Sequence, residues 1–259
     1  MKRSLSVAVS VCTITAGIIS TGSSQAAIVE PTPTLSHPTL NGNWIISQTF
    51  RPPNLGNPPA TAGGATRGGA CFKGTQRFTA LLPPSQIGLT VNSHPTFFWY
   101  VPQSSATTAQ FLLITRDDSQ VVYETTLTLP SKAGIVSFTL PDTVKPLEVG
   151  QRYHWFLTIN CNTVDRNSNP NTEGWVERTA PSAGLSEKIQ QTTARDLPAL
   201  YADQGIWYEA LTTLAQLRQA NPTDASLITS WERLLRSAGL GTLAPEPIVE
   251  SLSASNVVK

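Results

Sequence analysis

The chain has 259 residues, a formal net charge of +1, 14% charged residues and 20 prolines. A balance this close to neutral lacks the basic patch that nucleic acid or anionic lipid requires. With 40% hydrophobic residues there is apolar material for one large core or two small ones, and the proline content favours a loop-rich β protein over a helical cytosolic enzyme.

Lys2 and Arg3 precede an uncharged stretch, residues 4–27, whose apolar run from Leu5 to Ile19 leads to Ser24-Gln25-Ala26. A positive start, an apolar centre and small residues at the two positions a peptidase reads make a signal peptide over 1–26, with cleavage after Ala26. Ser6, Ser10, Thr13 and Thr15 interrupt the run, which is short for a retained span of about 20 apolar residues. The rest of the chain is therefore expected in the periplasm or outside the cell, with no membrane span after cleavage. Cysteines pair in such compartments, and with Cys12 removed the expected disulfide joins Cys71 to Cys161.

Residues 27–70 hold Pro31, Pro33, Pro38, Pro52, Pro53, Pro58 and Pro59, then the Gly63-Gly64 and Gly68-Gly69 pairs. Such a segment buries too little surface to offset its ordering entropy and is expected as a disordered arm. Trp44-Ile45-Ile46 and Phe50 are its apolar exceptions, fit to dock as a short strand.

From 71 to 182 the pattern is that of short strands: 87–91, 96–101, 110–115, 121–129, 134–140, 152–160 and 175–178, rich in β-branched and aromatic residues and separated by turn signals. Tyr153, Trp155, Leu157 and Ile159 alternate with His154, Phe156, Thr158 and Asn160, as on a half-buried strand. The expected fold is an antiparallel β-sandwich of immunoglobulin-like size. After 183 the period becomes helical: Trp207, Ala210, Leu211 and Leu214, then Leu227, Trp231, Leu234 and Leu235. The helical region is expected to end at 242, before a flexible tail over 243–259.

Tyr201, Gly205, Ala210, Leu214 and Pro222 have the spacing of one tetratricopeptide unit, which this hairpin resembles. Ala194, Pro198 and Leu217 depart from that pattern, and a single unit needs core from elsewhere. A wider set of motifs runs through the chain: Thr66-Arg67-Gly68, Pro95 to Pro102, Thr125 to Pro130, Gly134-Ile135-Val136-Ser137, Leu147 to Gly150 with Tyr153-His154-Trp155, Gly174 to Arg178, and Gly205-Ile206-Trp207-Tyr208. In these motifs the chain resembles the exported cyanobacterial proteins grouped as domain of unknown function 928. The resemblance implies an envelope or extracellular protein and brings no activity, cofactor or catalytic residue.

Little else in the sequence points to chemistry. His37, His94 and His154 show no HxxxH or CxxC partner spacing, so neither a metal site nor a cofactor is expected. A Cys–His nucleophile pair needs a free thiol, which the disulfide removes. Asp117-Asp118 reads as a hairpin turn. Asp165, Asn167, Asn169 and Glu173 suggest a loose calcium loop, although Pro170 and Val176 stand where the pattern needs Gly and Glu. Trp175, Glu177 and Arg178 are expected to tie the helices to the sheet. Convergence of His154 with Asp and Glu side chains in one cleft would instead argue for an enzyme.

The expected function is a non-enzymatic protein of the cell envelope that docks a protein partner, with Trp207, Tyr208, Leu211 and Arg218 as contact residues. The alternative is an envelope-polysaccharide module, in which Phe97, Phe98, Trp99, Tyr100, Tyr153, Trp155 and Phe156 would offer rings to a glycan, although burial is the expected use of most of them.

Overall fold

The computed structural model describes residues 48–56 and 71–254. The signal sequence, Trp44-Ile45-Ile46, His37 and the Thr66-Arg67-Gly68 motif lie outside the described residues. All described residues belong to one compact unit, 44–259.

Among the described residues nine strands form two sheets. They are β1 (Thr79–Ala80), β2 (Ile87–Thr90), β3 (Thr96–Val101), β4 (Thr108–Thr115), β5 (Val121–Thr128), β6 (Gly134–Thr139), β7 (Arg152–Ile159), β8 (Asn171–Arg178) and β9 (Ile248–Ser251). One sheet has the order β1-β3-β6-β9 and the other β2-β8-β7-β4-β5. The inner faces meet through aromatic rings: Trp99 on β3 packs edge-on to Trp155 on β7 at 5.6 Å, and Phe111 on β4 meets Phe138 on β6 at 5.1 Å. The expected sandwich is present, but its sheets are mixed. β2 runs parallel to β8 and β6 parallel to β9. Parallel partners need long crossover connections, and here strands β3 to β7 separate one pair while the whole helical region separates the other.

Four helices lie between β8 and β9: α1 (Ala183–Gln191), α2 (Leu197–Asp203), α3 (Trp207–Ala220) and α4 (Ala225–Ser237). Local chemistry sets their ends. Ser182 caps α1 by accepting from the Leu185 amide, Pro198 stands in the first turn of α2, and Asp224 accepts from the Ser226 and Leu227 amides at the start of α4. Between α2 and α3 the chain turns at Gly205 with φ +71°. A side chain there would also strike the Arg51 carbonyl oxygen, 2.8 Å from where its Cβ would stand.

Parts of the arm and of the tail are built into this unit, the arm docking at Phe50 as expected but without forming a strand. Residues 48–56 run past Gly205: the Arg51 amide donates to the Ala202 carbonyl, the Phe50 amide to Ser237 Oγ, and the Phe50 ring packs edge-on to Trp207 at 4.9 Å. One large apolar side chain with a matching slot outweighs the local proline content. Likewise the expected tail contributes β9, buried Leu252, and a bridge from Ala254 to Leu127.

Cys71 and Cys161 are joined by a disulfide, with Cα atoms 5.6 Å apart. Among the described residues no helix is long and apolar enough to cross a membrane.

Candidate functional site

The first turn of α3 carries three consecutive side chains that hydrogen-bond to the sandwich. Trp207 donates its indole N–H to the Leu81 carbonyl at 2.8 Å. The Tyr208 hydroxyl accepts from Trp155 Nε1 at 3.0 Å and donates to the Trp175 carbonyl at 3.3 Å. Burial pushes the Tyr208 phenol far above its ordinary value, so the hydroxyl keeps its proton. Glu209 reaches the turn after β2, where Oε1 accepts from Thr90 Oγ1 at 2.6 Å and from the Asn92 amide, and Oε2 from the Val91 amide. Burial raises the Glu209 carboxyl, while Thr90 and the two amides pull it back down; its position in the first turn of α3 also suits a negative charge. Part of the residue still reaches the surface, but the carboxylate itself is desolvated.

These contacts correct the expected partner surface. Trp207, Tyr208 and Leu211 are 0%, 2% and 1% exposed. They face the sandwich because two short helices cannot cover the apolar face of α3 by themselves, and the sheet supplies the missing cover. Gly88 on β2 makes room for them, since a Cβ there would stand 2.5 Å from the Tyr208 ring. Of the four expected contacts only Arg218 keeps access to solvent.

Arg218 lies near the C-terminal end of α3, with its guanidinium 5.3 Å from the centroid of the Trp231 ring. With Gln219, Pro222, Ile248 and Val249 it lines a cleft of about 470 Å³ between α3 and β9. Its Nε and Nη1 are buried and have no hydrogen-bond partner, and neither does Trp231 Nε1. Burial lowers the guanidinium from its usual value, opposed by the field of Glu232.

A second polar cluster sits on the outer face of the five-stranded sheet. His154 on β7 stands opposite Trp175 on β8, and the two rings stack at 4.0 Å and 8°. His154 Nδ1 lies 3.3 Å from Asp118 Oδ1, and Nε2 lies 3.1 Å from Glu173 Oε2. Asp118 reaches the ring from the β4–β5 turn, where it takes a left-handed φ of 56° that aspartate tolerates better than most residues. His154 is therefore only 3% exposed although it faces away from the sandwich core. This is the His–Asp–Glu convergence that would favour an enzyme. Its geometry argues for fastening instead: a general base needs an open ring nitrogen, and both are engaged by carboxylates. Among the described residues no hydroxyl or thiol is hydrogen-bonded to the ring.

The remaining expectations are resolved by where side-chain oxygens and rings point. Glu173 turns to His154 and not to the Asn-rich loop. Within that loop Asn162 Oδ1 accepts from the Val164 and Asp165 amides, Asp165 Oδ1 from Asn167, and Asn169 Oδ1 from Asn162. Of the oxygens proposed for calcium, those of Asp165 and Asn169 thus hold the loop's own turns. Among the described residues no group of three His, Cys, Asp or Glu is arranged to hold a metal. Phe97, Phe98, Trp99, Tyr100, Tyr153 and Trp155 are buried, so the glycan platform reduces to half-buried Phe156. Trp175 joins the helices through its carbonyl and not its ring, because alternation along β8 turns Gly174 and Val176 inward and the indole outward. Glu177 pairs with Arg152 at 2.7 Å on that same outer face.

A family model described as Domain of Unknown Function (DUF928) matches residues 62–248. The chain belongs to this family. No curated protein and no solved structure matches it. The DUF928 match runs from the segment before Cys71 to the first residue of β9, so it takes in both sheets, the disulfide and all four helices. Three of the motifs read from the sequence fall at packing contacts of this chain. Pro95 to Pro102 carries β3, which is buried on both faces; Gly174 leaves the space that Trp155 and Leu82 fill; and Gly205 to Tyr208 is the turn that seats α3.

Proposed function

We propose that this DUF928 protein is an exported, non-enzymatic interaction module of the cell envelope. The observation that carries the reading is how its reactive groups are used. The two described cysteines are bonded to each other, His154 is held by two carboxylates, and the Glu209 carboxylate is met by three donors. Each is engaged in fastening one element to another, which supports a scaffold over a catalyst. The disulfide supports maturation in an oxidising compartment, in agreement with a signal peptide over 1–26. The α2–α3 turn, built on Tyr201, Gly205 and Ala210, is a tetratricopeptide-like hairpin whose usual ligand face has been given over to the sandwich.

The test is fractionation with thiol counting. The reading expects the chain in the envelope fraction, beginning at Ala27, with Cys71 and Cys161 alkylated only after reduction. An intact N-terminus in the cytosol with both thiols free would refute it.

A further inference from the structure

Unpaired buried polar atoms occur singly at Gln48, Trp99, Trp175 and Arg178, but at Arg218 and Trp231 three of them gather beside a cleft. Arg218 lines the cleft and Trp231 is fully buried against it, and three nitrogen atoms of this pair, Nε and Nη1 of the guanidinium and Nε1 of the indole, have no acceptor. Buried polar atoms are ordinarily paired, and three orphaned donors in two touching side chains specify what is missing: an acceptor. Among the described residues no carboxylate pairs with Arg218, and Glu232 acts on it only through space. The guanidinium is therefore desolvated on one side without receiving a counter-charge, so an incoming carboxylate meets a cation whose desolvation folding has already met in part.

The other wall of the cleft says what carries the carboxylate. Ile248 and Val249 belong to β9, which is the edge of its sheet. An edge strand offers an unpaired row of amides and carbonyls to an extended chain. A chain terminus is normally captured by a nest of backbone amides, whereas this cleft offers side-chain donors, whose planar fork suits an acidic side chain.

Resting on the interaction reading above, we propose that the cleft between α3 and β9 binds an extended segment of a protein partner, with Arg218 pairing to an aspartate or glutamate side chain while the segment runs along β9.

The probes are three short alternating Thr/Val peptides added to the full chain. The first has a central Glu and blocked ends, the second a central Gln and blocked ends, and the third a central Gln and a free C-terminal carboxylate. The readouts are the Arg218 Nε–H and Trp231 Nε1–H resonances. The Glu peptide is expected to shift both and to bind at least tenfold more tightly than the blocked Gln peptide. R218Q should abolish that preference, and R218K should weaken it about tenfold by keeping charge but losing the fork. Equal binding of the two blocked peptides, or no shift with any, overturns the proposal; stronger binding of the free-carboxylate peptide overturns the choice of an acidic side chain. A photo-crosslinker at exposed Gln219, used in intact cells, separates this from the broader reading. Adducts lost in R218Q support the site. Adducts unchanged in R218Q sink the site and leave the interaction module standing, and no adduct from crosslinkers scanned over the whole surface sinks both.

Discussion

Tyr208→Phe removes one atom from the centre of the contact between helices and sheet. The hydroxyl is the acceptor for Trp155 Nε1 and a donor to the Trp175 carbonyl, and it lies in a fully buried setting. The substitution leaves the ring packing intact, including its edge-on contact with Phe97 at 5.4 Å. What is lost is the acceptor for a buried indole N–H, and an orphaned donor of that kind costs about 1–3 kcal/mol. The bond to the Trp175 carbonyl is longer and adds little, so the expected loss is about 2 kcal/mol. For a domain of this size that is a fall in Tm of about 4–8 °C. Urea melts should show a lower midpoint with an unchanged slope, since the area exposed on unfolding is the same. The control is Tyr123→Phe, whose hydroxyl makes no hydrogen bond among the described residues and which should stay within about 0.5 kcal/mol of the parent. If Tyr208→Phe is no more destabilising than that control, the hydroxyl does not fasten α3 and the account of the Gly205–Glu209 turn is wrong.

Three further outcomes follow from the same contacts. Gly88→Ala sets a methyl 2.5 Å from the Tyr208 ring, an overpacking expected to cost about 1–3 kcal/mol in chemical denaturation; a neutral result would mean α3 is not seated there. Replacing Cys71 and Cys161 with serine releases the 90-residue separation that the bridge closes, with an expected loss of about 2–5 kcal/mol measured against the oxidised parent. Asp224 is held well below the usual aspartate value, first by Arg195 and then by Ser226, so its stabilising effect is complete above pH about 4 and lost as pH falls through the folded-state value. The stability difference between the parent and Asp224→Ala should accordingly shrink on acidification, and a difference that grew would reverse the sign assigned to this cap.

The strands were legible because their period is local. Residues 96–101, 121–129 and 152–160 alternate or run apolar over the lengths of β3, β5 and β7, and the structure moves their ends by at most one residue. β9 was not legible: Ile248-Val249 is a short apolar pair followed by Glu250, and only the long return past four helices brings it to β6. That return also makes the sheets mixed, which no local window can reveal. The helical period correctly marked one apolar face on α3, but periodicity says only that a face is covered and not by what. The period alone therefore points Trp207, Tyr208 and Leu211 at a partner, whereas the covering surface is the same chain. His154 shows the complementary difficulty: its carboxylates come from residues 118 and 173, joined only by hairpin geometry and strand register. Arg218 carried a legible charge, yet the loss of its acceptors is a property of packing.

The central claim is that sandwich and helices share one core, fastened at the first turn of α3. Hydrogen exchange on the native full chain measures this directly, by comparing backbone amides of α3 with those of β7 as denaturant is raised. The account predicts that both sets converge on the same opening free energy and exchange only in global unfolding. Exchange of α3 through a lower-energy opening, while β7 stays protected, would contradict it.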